Sequence, residues 1–183
     1  MVSIKSGTWI HGTVHINTSL LLPNGNILLA GNSGNYQLFD NNMISITSGG
    51  WINGIVHIQT SLLLPNGNIL LAGHSGRYQL LYENMVSITS GVWIHGTDAI
   101  YTSLLLPNGN ILLVGSNGKL QLFGNNMVSI KSGTWIHVAG DIYTSLLLPN
   151  GSILCRYRDW ETDRKSTRLN SSHITRSRMP SSA

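Results

Sequence analysis

The side chains able to do chemistry are few, and they recur at fixed intervals. His11, His95 and His137 share one position of a 42-residue period, and His15 and His57 share another. Histidine is the commonest metal ligand, and His11-x-x-x-His15 has the spacing that puts two imidazoles on one face of a helix. The segment has no helical pattern, however, and Asn53 replaces the first histidine one period on. A structural zinc site also wants four ligands. The histidines are therefore expected to hydrogen-bond backbone in loops, with no metal and no other cofactor. Trp9, Trp51, Trp93 and Trp135 keep the same interval. An indole can stack on a sugar, but one per period suits packing better. Asp98 and Asp141 sit one residue out of register with each other, and neither a paired-carboxylate nor a Gly-x-Ser-x-Gly constellation occurs. No catalytic residue is expected, and the chain is read as not an enzyme.

The elements that must position these groups are copies of one another. Repeats 1–42, 43–84 and 85–126 are followed by a partial fourth, 127–154, and the first two share 31 of 42 residues. A fixed period in this range signals a solenoid, a propeller or another array. Met1 takes the place of Met43, Met85 and Met127. About three and two-thirds repeats are visible, so the array is expected to be incomplete.

Each repeat divides into four short extended runs, 18–22, 26–30, 36–39 and 43–47 in the first copy. Glycine or proline interrupts every stretch before about 10–12 residues accumulate, too soon for a helix. Pro23-Asn24-Gly25 supplies a tight turn, expected as a type I turn with a glycine bulge. The continuous runs at 20–22 and 27–29 predict strands buried on both faces, and the alternation at 43–47 predicts an exposed outer strand. The reading is all-β: a β-propeller-type array of four-stranded antiparallel blades.

Charge adds an exclusion. The net charge of +4 belongs entirely to residues 155–183, because residues 1–154 hold four basic and four acidic side chains. The repeats carry no basic stripe to neutralise phosphates, so no nucleic acid is expected. No stretch is long enough to span a bilayer. Residues 155–162 are a junction of unknown origin. Residues 163–173 read Asp-Arg-Lys-Ser-Thr-Arg-Leu-Asn-Ser-Ser-His, which resembles the translation of a short-read sequencing adapter. Residues 163–183 are set aside as adapter-derived and expected to be disordered. Cys155, the lone cysteine, falls in the junction, so the repeats have neither a disulfide framework nor a thiolate site.

Thr-Ser-Leu-Leu-Leu-Pro-Asn-Gly-Asn-Ile-Leu-Leu-Ala-Gly, then Tyr36, then Trp51, resembles the kelch repeat, with a Trp-Asp-repeat propeller as rival on the strength of Leu-Phe-Asp ending at Asp40. Gly31-Asn32, Gly73-His74 and Gly115-Ser116 stand where kelch repeats carry a double glycine, and Leu120 replaces the tyrosine. Both resemblances imply the same blade.

Differences between copies concentrate in the loop entering the first strand and the turn after the second. In an up-and-down blade these emerge at one end, where per-repeat variation often marks a binding surface. The candidate binding residues are His11, Asn17, Asn32, Asn35, Gln59, His74, Arg77, His95, Tyr101, Lys119, His137 and Tyr143. The expected function is a non-enzymatic binding or scaffolding module for an unknown protein or glycan. Self-association through unpaired blade edges is also expected. The alternatives are the propeller of a larger secreted carbohydrate-active or oxidase enzyme, or a glycan-binding lectin.

Overall fold

The computed structural model describes residues 9–10, 14–50, 57–134 and 140–157, together with the backbone of 175–177. The chain divides into two compact lobes, Met1–Thr97 and Asp98–Ala183. In the first lobe β1 (Ile16–Leu21), β2 (Ile27–Gly31), β3 (Tyr36–Phe39) and β4 (Ser45–Gly49) form one antiparallel sheet, ordered as in the chain. A second sheet repeats the pattern with β5 (Ile58–Leu63), β6 (Ile69–Gly73), β7 (Arg77–Leu81) and β8 (Ser87–Val92). The second lobe holds β9 (Ile100–Leu105), β10 (Ile111–Gly115), β11 (Lys119–Phe123) and β12 (Ser129–Thr134) as its first sheet. Its other sheet joins β13 (Ile142–Leu147) and β14 (Ile153–Tyr157) to a three-residue strand, β15 (Thr175–Ser177), drawn from the segment set aside above.

The turns follow from residue type. Gly25 has φ +84 and its N–H donates to the Leu22 carbonyl at 2.9 Å, which closes the Pro23-Asn24 turn. The turn before the fourth strand departs from expectation. Met43, Met85 and Met127 adopt φ of 63, 65 and 63, so the fourth strand starts two residues later than the alternation suggested. A left-handed methionine is unfavourable by roughly 1–2 kcal/mol. Met85 and Met127 are buried, and this burial offsets the strain, which is why a methionine rather than a glycine holds the place.

The core lies between paired sheets. Leu28, Ala30 and Leu38 of the first sheet pack with Ile58, Ile69, Leu71 and Leu81 of the second. Leu112 and Val114 pack with Ile142, Ile153 and Cys155 in the other lobe. The second strands are the most buried, with every residue of β6 and β10 enclosed. The first strands are half-exposed, so only part of the expected double-sided burial is seen.

A buried glutamine at one repeat position ties the third strand to the fourth. Gln37 Nε2 donates to Ser45 Oγ at 3.0 Å, and Gln121 Nε2 to Ser129 Oγ at 2.8 Å. Beside it, the Tyr36 and Tyr78 rings lie over their cross-strand partners Gly49 and Gly91, where a Cβ would meet the hydroxyl at 2.7 and 2.5 Å.

Each of the first three sheets carries two β-bulges. One is in the first strand, where Asn17, Gln59 and Tyr101 are the extra residues; Tyr143 repeats it in β13. The other is in the fourth strand at Ile46, Ile88 and Ile130. The fourth strands are sheet edges, and a bulge there works against edge-to-edge pairing. No helix among the described residues is long and apolar enough to cross a membrane.

Candidate functional site

The bulge in the first strand builds the rim of each blade. It leaves one residue outside the ladder and re-aims its side chain. The space for it comes from the glycine ending the second strand. A Cβ on Gly31, Gly73 or Gly115 would lie 1.9 Å from the carbonyl oxygen of His15, His57 or Ala99. The first glycine of the expected pair is therefore a steric requirement. The following position lies at the rim and is free to vary, as Asn32, His74 and Ser116. Its N–H donates to that same carbonyl, at 2.9, 3.0 and 2.9 Å.

In the first lobe the rim is an amide and imidazole surface. Asn17 Nδ2 donates to Asn32 Oδ1 at 3.0 Å and to the Ile58 carbonyl of the next blade at 2.8 Å. Gln59 Nε2 lies 3.3 Å from His74 Nε2. The His57 and His74 rings meet edge to face, with centroids 5.0 Å apart. Burial first, and the neighbouring His57 second, hold the His74 imidazole below its ordinary range. His57 Nδ1 in turn accepts a hydrogen bond from the Ser33 N–H at 3.3 Å, across the blade junction. Asn35 and Arg77 stand at the starts of their third strands on the same rim.

In the second lobe the same positions carry different chemistry. The Tyr101 and Tyr143 rings lie 4.7 Å apart with a 33° tilt, and both hydroxyls donate to Asp141 Oδ2 at 3.3 Å. Asp141 Oδ1 accepts the Asn117 N–H at 3.1 Å, the bond that His57 makes in the first lobe. Burial pushes the Tyr101 phenol up; its hydrogen bond to Ser116 opposes this, and the Asp141 charge reinforces it less strongly. Lys119 pairs with Asp98, both about a third exposed or less.

The candidates thus meet in pairs: Asn17 with Asn32, Gln59 with His74, Tyr101 with Tyr143. His95 instead packs its ring edge-on against Trp93, with centroids 4.9 Å apart. Trp93 is buried, and its backbone N–H donates to the Gly76 carbonyl at 2.9 Å, which makes it a packing residue as expected. His11 and His137, with Trp51 and Trp135, lie outside the described residues. His57, which hydrogen-bonds backbone as expected, joins the site with Asp98 and Asp141, and all three stand outside the candidate binding residues. The signal for the two aspartates was their shift in register, which supplies a partner to Lys119 and to the tyrosine pair.

Four-stranded antiparallel meanders paired through their first strands define a β-propeller-type array, incomplete and all-β. No protein-family model and no curated protein matches the chain. Solved propellers do. The chain is similar to a catalytically inactive virginiamycin B lyase from Staphylococcus aureus with quinupristin, at TM-score 0.73 and 8% identity, over 95% of this chain and 59% of that one. It is similar to the WD40 β-propeller domain of Doa1, at TM-score 0.63 and 17% identity, over 76% of this chain and 47% of that one. The C-terminal WD40 domain of Sif2 matches at TM-score 0.63 and 12% identity, over 78% and 43%. The chain thus spans about half the length of the propellers it matches.

Proposed function

We propose that this chain is a non-enzymatic binding module that recognises a protein partner through the variable rims of its blades. One observation carries the reading. Blades that agree in their strands and hairpins differ where the bulge and the turn after the second strand come together. Asn17 and Asn32 give way to Gln59 and His74, and then to Tyr101, Ser116, Lys119 and Asp98. Rigid scaffolds present recognition groups on such loops, and tyrosines are common anchors of protein interfaces. The likeness to WD40 domains supports a propeller scaffold of this kind. The repeat pattern around Tyr36 keeps the kelch resemblance beside it.

The test is selection of a random peptide library on the full chain. A second chain carries the first blade's residues at the third blade's rim: Tyr101→Asn, Ser116→Asn, Lys119→Asn and Asp98→Val. Peptides that bind the natural chain and lose the altered one support the reading. Peptides that bind both equally, or no enrichment on the folded chain, count against it.

A further inference from the structure

The end of the first lobe opposite the rim carries a hollow of about 560 Å³. Small-molecule sites run from roughly 300 to 1,000 Å³. Two hairpins wall it with Asn24 and Asn66, the turn between β7 and β8 adds Tyr82, Glu83 and Asn84, and the bulged Ile46 adds an apolar side.

The asparagines are pre-set. Asn24 Oδ1 accepts the Asn26 N–H at 2.9 Å, Asn66 Oδ1 accepts the Asn68 N–H at 3.1 Å, and Asn84 Oδ1 accepts the Val86 N–H at 3.2 Å. These bonds fix each amide plane through its oxygen and leave the two N–H donors of each amide for a ligand.

The carboxylate is different from blade to blade. In the first blade Asp40 Oδ1 caps its own turn, accepting the Asn42 and Ile44 N–H groups at 2.8 Å each. In the second blade Asn84 takes over a cap, Tyr82 fills the aspartate's place, and the acid moves one residue on to Glu83. Glu83 Oε1 is buried with no hydrogen-bond partner. That oxygen is closed to solvent, so a ligand in the hollow meets the carboxylate through Oε2. The Tyr82 ring beside it is 51% exposed. Among the described blades only this one has an aromatic ring and a carboxylate in the turn; the third has Gly124-Asn125-Asn126.

We propose that this hollow binds a neutral saccharide. Sugar hydroxyls both accept from amide N–H groups and donate to a carboxylate, and the apolar face of a pyranose stacks on a tyrosine ring. Among the described residues no basic side chain lines the hollow, so an anionic glycan or a phosphate has none of them to pair with. The site lies at the opposite blade end from the protein-binding rim and stands or falls separately from it.

The experiment is an array of neutral, acidic and amino oligosaccharides probed with the full chain, followed by titration of the best neutral glycan. The variants come from the sister blades, which carry the same residues in folded turns: Glu83→Asn and Tyr82→Asp. The natural chain is expected to bind neutral glycans, with each variant losing tenfold or more and the exposed control Lys131→Thr, which carries the sister blades' residue, losing nothing. The proposal is overturned by folded natural chain that binds no neutral glycan at millimolar concentration. Binding confined to acidic or amino glycans, or neutral binding indifferent to both substitutions, also overturns it.

Discussion

Thr18 Oγ1 lies 2.7 Å from Ser61 Oγ, and the same bond recurs in the other lobe between Thr102 and Ser145 at 2.9 Å. In each case the threonine of one blade meets the serine of the next, so the unchanging Thr-Ser pair of the repeat is a latch between first strands. A net hydrogen bond contributes about 0.5–1.5 kcal/mol. Thr18→Val and Ser61→Ala should each destabilise the chain by about 1 kcal/mol, and the double variant by less than their sum. Urea unfolding of the four chains measures this. Strict additivity would show that the latch contributes nothing.

Two glycines with nearly the same backbone should respond differently to alanine. Gly67 has φ +83 and open space around its Cα; Gly76 has φ +63 and would drive a Cβ to 2.0 Å from the Gly96 carbonyl and 2.5 Å from the Trp93 ring. Gly67→Ala should cost about 1–2 kcal/mol, from the left-handed conformation alone. Gly76→Ala adds overpacking of about 1–3 kcal/mol. Equal losses in thermal or urea unfolding would mean that Trp93 does not press on this turn.

Acid should weaken the first lobe through His74. Its imidazole is held below the ordinary value of 6.5 by burial and by His57. As pH falls the unfolded chain takes up the proton first. The stability present above 6.5 is therefore lost as pH drops through the lowered folded value. The natural chain should lose more stability between about pH 7.5 and about pH 5 than His74→Asn, which carries the first blade's residue. Parallel pH profiles of the two chains would remove His74 as the cause.

Cys155 reports on the second lobe. Burial against Leu112, Val114 and Ile142 pushes its thiol up to about 11. The thiolate is the reacting species, so labelling by a disulfide reagent near neutral pH should be at least about tenfold slower in the folded chain than in denaturant. Equal rates would mean that β14 does not pack as described.

The repeat made much of this legible. Pro23-Asn24-Gly25 announced its turn, and the differences between copies announced the rim, because both signals are local. Other features depend on groups far apart in the chain. The left-handed Met43 position looks like the start of a strand until the burial of its counterparts Met85 and Met127 is known. Gly31 looks like half of a missing glycine pair until the His15 carbonyl is seen against its Cα. Asp141 looks like drift, yet it accepts from Tyr101, 40 residues earlier. Tyr82 and Glu83 replace Asp40 and Asn41 of the first repeat, and nothing in the sequence places them beside Asn24.

The central proposal is that the rim is the recognition surface. Amide hydrogen exchange of the full chain, alone and with the strongest peptide selected on it, tests this directly. Protection is expected at residues 14–17, 32–35, 74–77 and 116–119, with none at the hairpins 23–26 and 65–68. Protection at those hairpins with an unchanged rim would contradict it.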